Sequence, residues 1–186
     1  VTGRSTAPAS IELTGTARDF EYAPLARATR ANPDFQSGRA GSERGLVERD
    51  LGADGTPVYA GETASATTSG PESFAEWYSN VAGTNIAVPV NLRLALKPGT
   101  GPGTGVPATY VYDDPSFFPV DGRGWNDPAL GGEPQVATGD DGQPHNFSFT
   151  FELRSSFTYR GGEVLTFGGD NDVWVFINGK LAVDLG

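Results

Sequence analysis

The densest group of candidate metal ligands in this chain is the acidic turn formed by Asp170, Asn171 and Asp172. It follows Gly168 and Gly169, whose missing Cβ atoms let the backbone bend tightly. Carboxylate and amide oxygens are the ligands that calcium prefers, so the turn is a candidate calcium site. Asp and Asn also favour ordinary turns, and the spacing by itself favours that structural interpretation.

Two more polar clusters lie in a loop rich in Asp, Gly and Pro. Asp113 and Asp114 form the first cluster, and Asp121 with Trp125 forms the second. Their carboxylates are suited to complete a calcium shell, and Trp125 is suited to stack on a sugar ring. The alternative is that each Asp serves a turn and Trp125 fills a buried gap. His145, the sole histidine, is predicted to make a structural hydrogen bond at the entrance of a strand.

Charge and composition narrow the function classes. The chain has 13 basic and 23 acidic residues and a net charge of −10, which would repel phosphate backbones and argues against a nucleic-acid partner. It has no cysteine, which excludes disulfides and thiolate metal sites. No apolar stretch is long enough to span a bilayer, so no membrane insertion is expected.

Catalytic signatures are also missing from the sequence. It contains no GxSxG elbow, P-loop or dinucleotide fingerprint. Many acidic residues are available, but the sequence singles out no opposed pair of carboxylates of the kind a glycosidase needs. The prediction is therefore that the protein is not an enzyme.

The elements that would position these residues are mostly strands. The chain has 186 residues with 26 Gly and 14 Pro, which favours one β-rich domain with long connections over a helical bundle. Residues 1–10 are predicted to be a flexible lead-in and residues 11–186 a single domain. Alternating or β-branched patterns predict strands at 11–17, 58–60, 86–96, 146–153, 156–159, 164–167, 173–177 and 180–185.

Particular residues sharpen this prediction. Asn178-Gly179 is typical of a type I′ hairpin turn, and Pro89 indicates that its strand begins at a sheet edge. The alternation in 146–153 places Phe147, Phe149 and Phe151 in the core. One short helix is predicted near 73–80, with Ser73 capping its amides and Glu76 reaching back.

Several segments together resemble the fibro-slime domain, a relative of the protective-antigen-type β-sandwich. The resemblance covers nearly the whole chain from about residue 11. The matching segments are FAEWYSNVAGTNIAVPVNLRL at 74–94, SFFPVDGRGW at 116–125, HNFSFTFEL at 145–153 and FTYRGGEVLTFGGDNDVWVFINGKLAVDLG at 157–186, with RDF at 18–20 and NPDF at 32–35.

The resemblance implies an antiparallel two-sheet β-sandwich on a secreted or cell-surface protein, mainly in bacteria. In sugar-binding relatives of this type, two successive aspartates hold calcium, and the calcium holds sugar hydroxyls. Those positions correspond here to Asp170 and Asn171. Asn171 supplies an oxygen but no charge, which should weaken calcium binding unless Asp172 or another carboxylate compensates.

The resemblance also implies that further strands follow Gly186. The domain is therefore expected to lack its final strands and to leave an open edge that a second polypeptide would complete. Trp174 and Phe176, predicted as core residues, would need the same cover. The predicted partner-strand edge comprises Lys180, Leu181, Ala182, Val183, Asp184 and Leu185.

The sequence thus predicts an extracellular, calcium-dependent module that recognises a glycan or a peptide. The alternative is a structural or assembly module whose open β-edge docks a partner strand.

Overall fold

The computed structural model describes residues 6–22, 31–36, 41–130, 137–169 and 172–186. The predicted all-β, antiparallel fold with long loops and one short helix is confirmed. Three strand groups are present in the described residues: a four-stranded sheet and two two-stranded hairpins. The strands are β1 (Ser10–Phe20), β2 (Asn85–Leu96), β3 (Tyr110–Val111), β4 (Ala137–Thr138), β5 (Pro144–His145), β6 (Phe149–Leu153), β7 (Trp174–Ile177) and β8 (Lys180–Asp184), and the helix is α1 (Pro71–Phe74).

The main sheet has the strand order β3-β2-β1-β6 and is apolar on one face. Ala17, Val90 and Leu92 are buried there under Val120, which comes from the loop between β3 and β4. Gly15 makes this packing possible, because a Cβ at that position would lie 2.4 Å from the Phe151 ring. The loop that carries the predicted ligand residues is therefore also the cover of this core.

The opposite face of the main sheet is polar but also covered. Arg18 forms an ion pair with Glu152 at 3.0 Å and donates a hydrogen bond to Asn80 at 3.0 Å. Thr150 donates to the backbone carbonyl of Trp77. The segment that follows α1 thus lies on this face, and its apolar side packs against the β7–β8 hairpin, where Trp174 meets Trp77 at 6.4 Å between ring centroids.

The predicted type I′ hairpin is present. Asn178 and Gly179 have φ values of 51° and 76°, and they connect β7 to β8. Trp174 and Phe176 are half-buried against the cluster of Leu46, Val47 and Phe74, so α1 and the loop before it provide cover that was expected from later strands.

The prediction of a wholly open β8 edge is wrong at its first residues. Leu181 N–H donates to the carbonyl of Arg49 at 2.8 Å, and Leu51 N–H donates to the carbonyl of Gly179 at 3.0 Å. Asp50 also bridges Lys180 in antiparallel fashion. A loop from the same chain therefore occupies this edge, because the long connection before α1 returns past the hairpin.

The helix prediction was wrong in its bounds and its cap. The helix α1 is one turn long and starts two residues before Ser73, with Gly70 at its N-cap. Ser73 is buried within it, and its hydroxyl contacts Asp34 Oδ2 and lies 3.1 Å from Asn32 Oδ1 instead of capping. A buried polar partner on a distant loop outweighed the local capping pattern.

Two strand predictions after β6 were also wrong. Residues 156–159 and 164–167 are irregular, and their apolar side chains are exposed. Phe147 lies outside β6 and is 47% exposed, whereas Phe149 and Phe151 pack against the core as predicted. Alternation of residue types cannot form a ladder without a neighbouring strand, and β6 pairs with β1 at only five positions.

The two residues before β1 are attached to the sheet. The carbonyl of Ala9 accepts from Leu96 N–H at 2.9 Å, and the carbonyl of Pro8 accepts from the Tyr110 hydroxyl at 3.0 Å. The described part of the predicted flexible lead-in is thus pinned from Pro8 onwards.

Candidate functional site

Two of the three predicted metal ligands, Asp170 and Asn171, lie outside the described residues. Asp172 is described and half-buried just before β7. Burial raises the pKa of the Asp172 carboxyl, and the nearby carboxylates of Asp184 and Glu43 raise it further. Asp184 and Glu43 thus act on Asp172 electrostatically, and a cation would relieve that repulsion.

Asp184 is engaged in structural hydrogen bonds. Its Oδ1 accepts from the Trp174 indole N–H at 3.1 Å, and its Oδ2 accepts from Gly45 N–H at 2.8 Å. Asp184 therefore ties the hairpin to the loop before α1. Both carboxylate oxygens of Asp184 already accept hydrogen bonds. The carboxylate also acts electrostatically on nearby Asp172.

Glu43 is held in the same way. Its Oε2 accepts from the Ser65 hydroxyl at 2.7 Å and from the Thr67 hydroxyl at 2.8 Å. These hydrogen bonds hold the pKa of the Glu43 carboxyl below its ordinary value, so it stays charged. Among the described residues, no three acidic, histidine or cysteine side chains form a group that could hold a metal ion.

The predicted ligand-binding residues of the loop after β3 have different surroundings. Asp113 is exposed, while Asp114 accepts from the Tyr112 hydroxyl at 2.8 Å and from Ser116 N–H at 3.1 Å. Asp121 accepts from Asn146 N–H at 2.8 Å and contacts the ring of His145. Asp113 keeps the exposure that a ligand contact needs, and Asp114 shapes a turn.

His145 is held between two carboxylates. Its Nδ1 faces Asp121 and its Nε2 lies 3.0 Å from Asp141 Oδ2, while its ring stacks on Phe118 at 3.8 Å. Hydrogen bonds from the ring to Asp121, and then to Asp141, raise the pKa of His145. The predicted structural role of His145 is confirmed, and its carboxylate partners come from two different loops.

Trp125 belongs to a buried polar network that the sequence did not indicate. Asp19 is fully buried. Its carboxylate accepts from the backbone N–H of Trp125 at 2.6 Å and from the side-chain amide of Asn146 at 2.8 Å. Asn146 also contacts Asn126. The indole of Trp125 is half-buried, so this residue anchors its loop to β1.

The structure does not gather all the predicted site residues at one place. Asp172 lies with Glu43 on the hairpin side of the main sheet, whereas the loop carrying Asp113, Asp121 and Trp125 covers the opposite face. Among the described residues, the calcium candidate and the loop candidates are therefore two separate regions.

Similar proteins come from the social amoeba Dictyostelium discoideum. Protein psiR is 40% identical over 157 residues, which are 83% of this chain and 15% of psiR. Protein psiD is 40% identical over 153 residues, covering 78% of this chain and 28% of psiD. Protein psiC is 34% identical over 185 residues, covering 95% of this chain and 32% of psiC. The chain thus spans less than a third of the length of these relatives.

No family model matches the chain. No solved structure matches it either. Within the described part of the chain, no helix has both the length and the apolar character needed to cross a membrane.

Proposed function

We propose that this chain is a fibro-slime-like, calcium-dependent recognition module of a secreted or cell-surface protein, which binds a glycan or a peptide without catalysing a reaction. The observation that supports it best is the setting of Asp172, whose pKa is raised by burial and then by the nearby carboxylates of Asp184 and Glu43. Unbalanced negative charge next to an acidic turn is the environment that a divalent cation stabilises.

Asp172 would hold the calcium together with Asp170 and Asn171. Asn171 supplies only a neutral oxygen, but the field of Glu43 and Asp184 adds the negative charge that it lacks. When bound, calcium would supply coordination positions for ligand hydroxyl or carbonyl oxygens. Asp184, one of the two carboxylates near Asp172, is itself fixed by hydrogen bonds from Trp174 and Gly45.

Calcium titration of the chelated protein tests this proposal. We expect saturable heat of binding by isothermal calorimetry and a melting temperature that rises with calcium. The free energy of unfolding should increase by about 2.7 kcal/mol at a calcium concentration of a hundred times the dissociation constant. Asp172→Asn should abolish both responses. The matched control is Asp114→Asn on the opposite face, which should retain them.

Equal calcium responses in the Asp172→Asn variant and the parent protein would contradict this assignment. Magnesium at the same concentration provides a second control, since it demands a smaller octahedral shell and dehydrates reluctantly. A response to magnesium as large as that to calcium would indicate general screening of the acidic surface.

An assembly module is the second candidate, and exposed apolar residues favour it. Five large apolar or aromatic side chains between residues 157 and 167 are from 57% to 85% exposed. Monomeric soluble proteins rarely expose so many in one stretch. They are Phe157, Tyr159, Val164, Leu165 and Phe167.

Sedimentation velocity separates this candidate from the first. An assembly module should form concentration-dependent complexes in the presence of a chelator, and Leu165→Ser with Phe167→Ser should weaken them. A calcium-responsive monomer over the full concentration range would rule out self-assembly.

A further inference from the structure

The edge of β2 that faces away from β1 is only partly paired. The strand β3 pairs with Ala95 and Leu96, and Lys97 N–H donates to the carbonyl of Thr109 at 2.8 Å. Further back, the carbonyl of Pro89 accepts from Arg123 Nη2 at 2.8 Å. Two closed positions therefore flank a gap of open sheet edge.

Strand geometry identifies the backbone groups in this gap. Successive residues of an antiparallel strand direct their N–H and C=O groups to opposite sides. Pro89 and Lys97 both bond away from β1, whereas Leu96 N–H donates towards the β1 side, to Ala9. The intervening residues Asn91 and Arg93 thus direct their backbone groups outwards, and within the described residues none of these groups has a hydrogen-bond partner.

A cleft lies against this edge, with a volume of about 270 Å³. Val90 and Asn91 form its floor, and the chain that leaves β3 forms its walls. Tyr112 is 39% exposed and meets Phe117 edge-on at 6.3 Å, which gives one aromatic wall. Arg123 closes one end, since its second guanidinium nitrogen donates to the carbonyl of Pro119 at 3.3 Å.

The walls of the cleft are held from outside. Phe118 stacks on His145, and the Ser116 hydroxyl donates to Asp141 at 3.1 Å. Asp114 accepts from Ser116 N–H and from the Tyr112 hydroxyl. The cleft is consequently a fixed feature of the loop that covers the core, and it does not depend on the acidic turn before β7.

We infer that this edge is a docking site for a short extended peptide that carries basic side chains and adds to β2 as a strand between Arg123 and β3. Paired N–H and C=O groups at a two-residue spacing match the backbone of another strand. Asp114 lines the cleft and Asp113 is exposed next to it, so two carboxylates outnumber the one guanidinium, that of Arg123, among the lining residues. A saccharide would contact the aromatic wall but would not match the repeat of the open backbone groups.

Pro89 shows how to block this site without disturbing the fold. It occupies an outward-facing position of β2 while the strand pairs with β1 throughout. Asn91→Pro removes the outward N–H at the next equivalent position and keeps the backbone pairing with β1, but it also removes the hydrogen bond that Asn91 Oδ1 accepts from the Thr14 hydroxyl at 2.8 Å. Asn91→Ala, which removes only that side-chain bond, is the matched control. Asp113→Lys reverses the charge of an exposed side chain, and neither change touches Asp172.

The probe is a fluorescent peptide of about eight residues in which Thr and Lys alternate, measured by anisotropy with a chelator present. We expect saturable binding, with shifts of the Asn91 and Arg93 amide resonances in a nitrogen-15 spectrum. Asn91→Pro should weaken binding roughly tenfold, the value of about one backbone hydrogen bond. Asp113→Lys should weaken it by roughly threefold at low salt and less at high salt.

Two control probes define the results that overturn the inference. The same peptide N-methylated at alternate residues should not bind, and a peptide of alternating Thr and Glu should bind more weakly. Equal binding of the N-methylated peptide, unshifted Asn91 and Arg93 amides in the parent protein, or binding of maltose or lactose in place of the peptides would each refute the strand-docking site. Because calcium is chelated throughout, failure here leaves the calcium proposal standing, and the reverse also holds.

Discussion

Two acidic regions on opposite faces of the main sheet differ in how their charge is balanced. On the hairpin side, Asp172 is crowded by Glu43 and Asp184, and its pKa is raised. On the loop side, Asp121 and Asp141 flank His145, whose pKa is raised by both of them. The loop side contains its own cation when His145 is protonated, whereas described residues supply none beside Asp172.

The difference shows that an acidic motif in the sequence does not by itself determine the electrostatic environment of its carboxylates. Asp141 lies in a turn as acidic as that of Asp172, yet hydrogen bonds from Gln143 N–H and then His145 lower the pKa of the Asp141 carboxyl. What distinguishes the two is the set of groups around each carboxylate: Asp141 has donors in its own turn and the Ser116 hydroxyl, whereas Asp172 has two further carboxylates nearby. Changing those partners should therefore change stability by different amounts and with different dependence on pH.

The largest loss of stability is expected at Asp34, a buried carboxylate whose hydrogen-bond donors are neutral. Its carboxylate accepts from the Thr68 hydroxyl at 2.8 Å, Ser69 N–H at 2.6 Å and the Trp77 indole at 3.0 Å. Asp34→Asn should therefore destabilise the protein by about 3 kcal/mol, measured by denaturant unfolding.

The pH dependence of Asp34 has a defined sign. Burial acts to raise its pKa, but the hydrogen bonds from Ser73, Thr68 and Ser69 outweigh burial and hold the pKa below 3.8. Its stabilisation is present above the ordinary pKa and is lost as the pH falls through the lower folded value. Asp54→Asn is the control, since Asp54 is exposed and only caps its own turn. An equal loss in both variants would contradict this account.

The His145 region should respond to pH in the opposite sense. Because the folded pKa of His145 is raised above 6.5, its contribution is complete below that value and is lost as the pH rises through the folded pKa. Hydrogen exchange at the Asn146 amide, which donates to Asp121, should become several-fold faster relative to the global rate over that range. His145→Gln should remove the pH dependence. A profile unchanged by His145→Gln would show that His145 does not hold the two loops together.

Asp172→Asn should have a small effect of the opposite sign when calcium is chelated. The raised pKa means that the apo protein loses stability as the pH rises above 3.8, so removing the charge should stabilise it at neutral pH. We expect a gain of roughly 0.5 kcal/mol in thermal or denaturant unfolding. The gain should vanish below the ordinary pKa of aspartate. A clear destabilisation at neutral pH would contradict the interpretation that the charge of Asp172 is unfavourable in the apo protein.

The smallest effect is expected at Phe147, beside His145. Its side chain is 47% exposed and touches Phe118 edge-on, so Phe147→Ser should change the stability by no more than about 0.5 kcal/mol. Phe151→Ala, in the same period-two pattern, should cost about 2 kcal/mol because Phe151 packs on Phe117 and the core. Similar losses in both variants would place Phe147 in the core after all.

Local patterns in the sequence predicted the elements that local chemistry controls. The strand β2 shows the predicted alternation, and Pro89 lies where no strand pairs with the outer side of β2 among the described residues, in keeping with its missing N–H. Asn178 and Gly179 form the predicted turn, since few other residues accept positive φ at both positions. The turn at Asp141 also follows its local sequence.

Tertiary structure decided the features that depend on distant partners. Ser73 turned from a helix cap into a partner of Asn32, 41 residues away. The loop at Arg49 closed the start of the β8 edge, and residues 156–167 formed no strands because none of the described strands pairs with them. Composition and spacing determined an all-β, acidic chain with tight turns. Only the fold determined that Asp172 lies near Asp184 and Glu43 and that Asp121 reaches His145, because a carboxylate's ionisation depends on the groups within a few ångströms of it, whether or not they are neighbours along the chain.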